Sequence, residues 1–282
     1  MIDLHTHTDR SDGSDPPERI AELAAAAGCA AVAVTDHDRL DGVERARARG
    51  DELGVRVIAG CELSCDTVAG TAHVLAYFVD DVAGPLQDVL ARLQDWRAER
   101  NRGLADRLTE LGLPVTYAEM EAEAGGQGVG RPHAAAVLVR KGVVASVQQA
   151  FDEWLGEGRP AYVDRPRLGL AEAVALVHAS GGVAVLAHPR SLGLEPRDLD
   201  AAVGEMAGQG LDGLEAVYGR YTPDDRATLA AIARRHGLAA TGGSDYHGSY
   251  KPDLRVGVGR GDLAVEDEVL DELEARRPSS RS

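Results

Sequence analysis

Short runs rich in Val, Ile, Leu and Ala recur along the chain and alternate with longer stretches whose apolar positions follow a helical period. Seven such runs predict β-strands: Ile2–Leu4, Ala31–Val34, Val55–Ala59, Val74–Phe78, Val183–Leu186, Leu214–Val217 and Leu238–Thr241. Helices are predicted between most of them, at Pro17–Ala27, Leu170–Ser180, Leu199–Gly208 and Arg226–His236. This α/β alternation favours a parallel sheet with helical crossovers, and seven units favour a TIM-like barrel over an open sheet.

One connection departs from the parallel pattern. The apolar segments 57–64 and 71–78 are separated by only a few residues, which include the turn formers Asp66 and Gly70. A parallel crossover needs a dozen or more residues, so this pair is predicted to form an antiparallel hairpin.

The middle of the chain is predicted to be a helical insert between the fourth and fifth strands. Leucines and other apolar residues keep a helical period from Leu86 to Leu111, and the pattern ends at Gly112 and Pro114. We therefore assign residues 1–84 and 165–262 to the barrel, 85–164 to an inserted subdomain over the active site, and 263–282 to a C-terminal helix and tail.

Composition and charge narrow the function. The chain has 282 residues and a formal net charge of −16, which disfavours an electrostatic surface for long nucleic acid. No apolar run is long enough to span a membrane, and strand character begins at Ile2, so no membrane partner and a cytoplasmic location are expected. Cys29, Cys61 and Cys65 fit no zinc-ribbon spacing and are predicted to be reduced thiols.

The histidines are concentrated where the predicted barrel would place an active site. Seven of the nine lie at a strand end or beside a Gly or Pro turn, namely His5, His7, His37, His73, His133, His188 and His247. In α/β barrels the C-terminal strand ends and the following loops build the site. His5 and His7 share one strand face, and Asp245 and His247 repeat their spacing after the last strand.

Carboxylates accompany these histidines. Asp12 lies in a Ser-Asp-Gly turn, and Glu62 lies on the hairpin arm opposite His73. Nine candidate ligands exceed what one ion needs, so two or three divalent ions are predicted, and the mixed imidazole and carboxylate set suits Mn, Zn or Fe. Asp36 and Asp38 are interpreted as supporting residues, whereas His178 and His236 lie on predicted helices.

Several motifs together resemble one family. They are Asp3-Leu4-His5-Thr6-His7, Ser11-Asp12-Gly13, Thr35-Asp36-His37-Asp38, Gly60-Cys61-Glu62, Arg131-Pro132-His133, Ala187-His188-Pro189 and Gly243-Ser244-Asp245-Tyr246-His247. This set, over residues 1 to about 250, resembles the PHP superfamily of polymerase and histidinol phosphatase domains. The insert and the sequence Glu157–Val163 resemble the bacterial group of 3',5'-nucleoside bisphosphate phosphatases and 5'-to-3' exoribonucleases.

The resemblance implies a distorted seven-stranded barrel with a three-metal centre. One ion would bind His5, His7, Glu62 and Asp245; a second would bind Glu62, His73 and His133; a third would bind Asp12, His37 and His247. Glu62 would bridge, Asp12 stands where some relatives have histidine, and His188 would contact either phosphate or an ion.

The expected reaction is hydrolysis of a phosphate ester by a metal-bound hydroxide held at Glu62 and Asp245, because bound metals lower the pKa of water and neutralise phosphoryl oxygens. Arg131, Arg159 and Arg190, with His188, are candidate phosphate contacts, and Arg159 is the candidate for a second phosphate.

Three functions remain open at this point. The preferred one is removal of the 3'-phosphate from a nucleoside 3',5'-bisphosphate, with short RNA as a further substrate cleaved from its 5' end. The alternatives are a histidinol phosphate phosphatase and a non-catalytic metal-binding module. The oligomeric state is not predicted.

Overall fold

The computed structural model describes residues 1–79, 84–125 and 128–278. Its strands are β1 (Ile2–Asp3), β2 (Ala31–Val34), β3 (Arg56–Thr67), β4 (Gly70–Tyr77), β5 (Leu168–Gly169), β6 (Val183–Leu186), β7 (Gly213–Tyr218) and β8 (Ala239–Gly243). All seven predicted strands are present, and the two-residue β5, which pairs with β3, is additional. It was missed because two residues carry no periodic signal.

Seven strands form a nearly closed barrel in the order β1-β2-β3-β4-β6-β7-β8. The two ends of this order meet where the N–H of Leu4 donates to the carbonyl of Gly242 at 3.2 Å and that of Asp245 donates to the carbonyl of His5 at 2.8 Å. β1 therefore lies between β2 and β8. The prediction of an α/β, TIM-like barrel of seven strands is confirmed.

The predicted hairpin is also confirmed. β3 and β4 are antiparallel, and their register pairs Glu62 with Leu75 and Ser64 with His73. Glu62 and His73 are thus diagonal neighbours on the same face, close enough for long side chains to meet. Because β4 also runs antiparallel to β6, this one reversed strand distorts the barrel.

The helices cover the barrel and extend beyond it. They are α1 (Pro17–Ala27), α2 (Val43–Leu53), α3 (Pro85–Glu110), α4 (Tyr117–Glu123), α5 (Arg131–Arg140), α6 (Val147–Ala150), α7 (Leu170–Ala179), α8 (Pro196–Gly208), α9 (Pro223–Arg235) and α10 (Glu268–Ala275). Alternate residues of β2 face opposite sides: Ala31 and Ala33 belong to the core inside the barrel, whereas Val32 and Val34 pack toward the helices. Leu270 and Leu273 of α10 pack against the inner core.

The long helix α3 belongs to two cores. Leu86 and Leu93 near its start are buried with the barrel's outer core, whereas Leu104 and Leu108 pack with α5 in a separate cluster. The helical segment is therefore continuous with the barrel at its first turns, and its boundaries at residues 85 and 164 stay predictions. Within the described residues, no helix is both long and apolar enough to cross a bilayer.

Candidate metal centre

The first group of candidate ligands surrounds the end of β1. The Nε2 atoms of His5 and His7 are 3.1 Å apart, and both side chains are fully buried. Glu62 Oε2 lies 3.0 Å from His7 Nε2, and Asp245 Oδ1 lies 3.4 Å from His5 Nε2. Ligands about 2.0–2.1 Å from one tetrahedral ion are roughly 3.4 Å apart, so these atoms fit a shared cation.

Hydrogen bonds to the opposite ring nitrogens orient both histidines. His5 Nδ1 is 2.9 Å from Glu215 Oε1, and His7 Nδ1 is 3.4 Å from the hydroxyl of Ser11, which itself donates to Asp36. With Nδ1 as the donor in each ring, the Nε2 atoms carry lone pairs that face each other, which requires a proton or a metal ion between them.

Asp12, His37 and His247 form a second group next to His7. The Asp12 carboxylate lies 3.5 Å from His37 Nε2 and 3.4 Å from His247 Nε2. His247 Nδ1 is 2.9 Å from the carbonyl of Asp245, so Nε2 is again free to accept a cation. This is the set that the resemblance implied for the third ion.

Glu62 is also the centre of a third group. Its Oε1 is 2.7 Å from His73 Nδ1 and 3.0 Å from His188 Nε2, while its Oε2 is 3.4 Å from His37 Nδ1. Glu62 thus contacts histidines of every group, as a bridging ligand would. His188, with φ of 27°, is held in place by the hydrogen bond from its backbone N–H to Glu215 Oε2 at 2.7 Å.

His133 lies apart from the other predicted ligands. Its Nδ1 accepts a hydrogen bond from the N–H of Gly130 at 2.9 Å, and its ring packs edge-on against Tyr250. A neutral ring in this state carries its proton on Nε2 and has no lone pair for a metal. Within the described chain, His133 joins none of the ligand groups, and His188 stands beside Glu62 and His73 instead.

Charges in the centre stabilise the ionised carboxylates. Burial alone would raise the pKa of Glu62, but His73, His37 and His5 hold it well below its ordinary value. The same balance applies to Asp245, where Lys251 and His5 lower the pKa. Burial favours neutral His5, yet Glu215, Asp245 and Glu62 raise its pKa well above the ordinary value. Burial and the neighbouring His247 lower the pKa of His7 to about 4.

Supporting residues complete the centre. Asp36 accepts hydrogen bonds from the N–H and hydroxyl of Thr8 at 2.8 and 2.7 Å, in agreement with its predicted supporting role. Asp38 instead pairs with Arg97 at 2.7 Å and Arg165 at 3.0 Å, which ties the helical segment to the barrel. Asp245 Oδ2 accepts from Tyr218 at 2.8 Å and pairs with Lys251, so Oδ1 is left facing His5.

A cavity of about 770 Å³ opens onto the centre, and Asp12, His37, His73 and His247 form part of its wall. Eight of the described residues that line it are cationic, namely Arg97, Arg100, Arg131, Arg165, Arg167, Arg220, Lys251 and Arg260. Only three of the described lining residues are acidic, namely Asp12, Glu157 and Asp253. A chain with a net charge of −16 therefore lines this cavity with an excess of positive charge.

Of the three arginines predicted to contact phosphate, only Arg131 lines this cavity. Its guanidinium lies 5.7 Å from the ring centroids of both Phe151 and Tyr162. Arg159 is exposed in a turn next to Gly158, whose φ is 73°, and does not line the cavity. Arg190 also lies outside it, where its Nη1 pairs with Asp225 at 3.1 Å. Arg159 and Arg190 are therefore not among the cations of the cavity that opens onto the candidate ligands.

Comparison with known proteins agrees with this architecture. The PHP domain family matches residues 3–94. The 3',5'-nucleoside bisphosphate phosphatase of Chromobacterium violaceum is 30% identical over 276 residues, which cover 98% of this chain and 97% of that protein. The 5'-3' exoribonuclease Rnm of Escherichia coli is 32% identical over 249 residues, which cover 88% of this chain and 85% of the relative.

A solved structure shares the whole fold. A candidate metal-dependent phosphoesterase from Bifidobacterium adolescentis matches with a TM-score of 0.86 and 31% identity, over 99% of this chain and 97% of that one. The barrel and its buried ligand groups define a metal-dependent phosphoesterase, a hydrolase of phosphoric ester bonds. The chain belongs to the PHP family.

Proposed function

We propose that this protein removes the 3'-phosphate from nucleoside 3',5'-bisphosphates and also cleaves short RNA from its 5' end. The observation that carries the proposal is a group of four arginines beside the metal ligands. This arginine group consists of Arg97, Arg100, Arg131 and Arg165, and all four line the same cavity as His37 and His73.

Among the four arginines, Arg100 has the surroundings that most favour a bound anion. Its side chain is 7% exposed, its Nε has no hydrogen-bond partner, and no carboxylate of the described chain pairs with it. Burial, together with Arg131 and Arg97, holds its pKa well below the ordinary value. A buried guanidinium without a counter-ion is costly, and a phosphate would relieve this cost through bidentate hydrogen bonds.

The two phosphates of a bisphosphate have separate places in this arrangement. The scissile 3'-phosphate would lie at the ligand groups around Glu62, while the 5'-phosphate would bind the arginine group. Two or three divalent ions, with Mn, Zn and Fe as candidates, would supply an activated water and neutralise phosphoryl oxygens. Glu215 orients His5 and His188, and the arginines would fix the substrate so that the 3'-ester faces the ions.

The proposed ligand sets follow the distances. His5, His7, Glu62 and Asp245 would hold one ion, and Asp12, His37 and His247 a second. Glu62, His73 and His188 would hold a third, because His73 Nδ1 and His188 Nε2 lie 2.7 and 3.0 Å from Glu62 Oε1. A complete set of donors argues against a non-catalytic module.

The positive charge of the cavity distinguishes the proposed function from the remaining alternative, a histidinol phosphate phosphatase. Histidinol phosphate carries a protonated amine, which the arginine group would repel, whereas a second phosphate would be attracted. The test is phosphate release from adenosine 3',5'-bisphosphate (pAp), 3'-AMP, 5'-AMP and histidinol phosphate, with product analysis for a 5'-phosphorylated RNA trimer. We expect kcat/KM for pAp to exceed that for 3'-AMP by about tenfold or more. Fastest turnover of histidinol phosphate would overturn the proposal.

A further inference from the structure

A second set of cations lies on the barrel side of the cavity. Arg220 follows β7 and Arg260 lies in the segment after β8, and both bind Asp253. Arg220 Nη2 is 2.7 Å from Asp253 Oδ1, and Arg260 Nη2 is 2.8 Å from Asp253 Oδ2. We refer to Arg220, Asp253 and Arg260 as the Asp253 cluster.

The Asp253 cluster keeps one unneutralised positive charge and free donors. Each guanidinium contacts Asp253 through Nε and Nη2, so the Nη1 groups take no part in these contacts. The side chains of Arg220 and Arg260 are 29% and 54% exposed, and both line the cavity. Asp253 thus fixes two guanidinium groups that can still donate to an anion.

The barrel order places this cluster and the anchor of the arginine group on opposite sides of β1. β1, which leads to His5 and His7, lies between β8 and β2. The Asp253 cluster follows β7 and β8, whereas Arg97 and Arg165 are anchored on Asp38, which follows β2. A substrate with its scissile phosphate at the centre would therefore meet cations on both sides.

The chemistry of the reaction indicates which substrate would use cations on both sides of the centre. Hydrolysis of a 3'-phosphate and of the first RNA linkage breaks the same bond, between phosphorus and the 3'-oxygen. Water adds to phosphorus, the 3'-oxygen leaves as a hydroxyl, and the 5'-nucleotide is released in both cases. The two substrates differ in the other substituent of the phosphoryl group. In pAp this group carries no further substituent, whereas in RNA it carries the rest of the chain.

We infer that the Asp253 cluster binds the phosphodiester backbone on the 3' side of the cleaved bond and so determines the use of RNA. This inference rests on the proposed function. The arginine group holds the 5'-phosphate of either substrate, and the Asp253 cluster contacts the next phosphodiester, which pAp lacks. The acidic remainder of the surface favours short chains, because longer RNA would lie along like charge.

The test compares two substrates and three arginine variants. Arg260→Ala removes a cluster arginine, and Arg255→Ala removes an exposed arginine of the same segment that does not line the cavity. Steady-state kcat/KM is measured with pAp and with the 5'-phosphorylated trinucleotide pApApA. We expect Arg260→Ala to lower kcat/KM for pApApA roughly tenfold and that for pAp far less, while Arg255→Ala changes neither. Arg260→Lys should retain part of the activity on the trinucleotide.

Each other outcome overturns a defined part of the account. An equal loss on both substrates would place Arg260 in a role common to all turnover and refute the inference. An unchanged rate with pApApA, or a wild-type protein that cleaves pAp but no trinucleotide, would refute it as well. If the wild-type protein cleaves neither, the proposed function fails and the inference fails with it.

Discussion

Glu215 Oε1 lies 2.9 Å from Nδ1 of His5, and both side chains are completely buried. The other oxygen of the same carboxylate accepts a hydrogen bond from the backbone N–H of His188 at 2.7 Å. One glutamate of β7 therefore orients a candidate ligand just after β1 and another after β6. A carboxylate, a histidine and a metal arranged in this way fix the tautomer and ring position that binding requires.

Glu215→Gln should weaken metal binding although it leaves every proposed metal ligand in place. Gln can keep one contact to His5 but removes the charge that makes its imidazole a strong donor, so we expect metal affinity to fall about 10–100-fold. Competition with a chromophoric chelator measures this change. Glu205→Gln, at an exposed position on α8, is the matched control. Equal affinities in the two variants would refute the role of Glu215.

Arg100→Met should separate stability from substrate recognition. Removal of a buried charge with no acidic partner is expected to raise the free energy of unfolding by about 1 kcal/mol. The same change should lower kcat/KM for pAp by at least about tenfold while that for 3'-AMP falls less. Thermal unfolding and steady-state kinetics measure the two effects. Arg159→Met, at an exposed position outside the cavity, should produce neither; a loss of pAp preference there would restore Arg159 as the phosphate contact.

Much of the barrel and the grouping of most candidate ligands could be predicted from the sequence, because both depend on local patterns. The strands are short apolar runs, and the histidines follow them in recognisable pairs. Glu215 was missed because it lies inside the apolar strand Gly213–Tyr218, where only the partner strands show what it contacts. Its one available signal was a single carboxylate within an otherwise apolar run.

Residues on long connections were harder to place. Arg100, the Asp253 cluster and the exchange of His133 for His188 beside Glu62 depend on how the helical segment and barrel loops pack, which no periodicity encodes. In the sequence, Arg159 stands out because it closes a helical segment of low net charge, but the structure concentrates cations by tertiary position.

Asp245→Asn should abolish turnover and preserve the fold. Asp245 has φ of 54°, and asparagine tolerates this left-handed conformation better than most residues do. The lost negative charge should lower kcat at least about 100-fold, because Oδ1 is a proposed ligand. Circular dichroism should show wild-type secondary structure. Wild-type rates with stoichiometric metal would show that this oxygen is not needed.

Metal binding should release protons near neutral pH. The pKa of His5 is held well above its ordinary value, so metal-free His5 is protonated at pH 7 and must lose that proton to bind an ion. His7, with a pKa of about 4, is already neutral and contributes none. Calorimetric titration with Mn²⁺ in buffers of different ionisation enthalpy measures the release. It should shrink in Glu215→Gln, where the pKa of His5 falls; a buffer-independent enthalpy would contradict this assignment.

The most direct test of the account is the metal content of active protein, measured by elemental analysis of samples purified without chelator. Three ligand groups, two of which include Glu62, predict more than one divalent ion per chain. They also predict that Glu62→Gln loses ions from more than one group together with its activity. A fully active protein that reproducibly contains one ion or fewer would contradict the multi-metal centre.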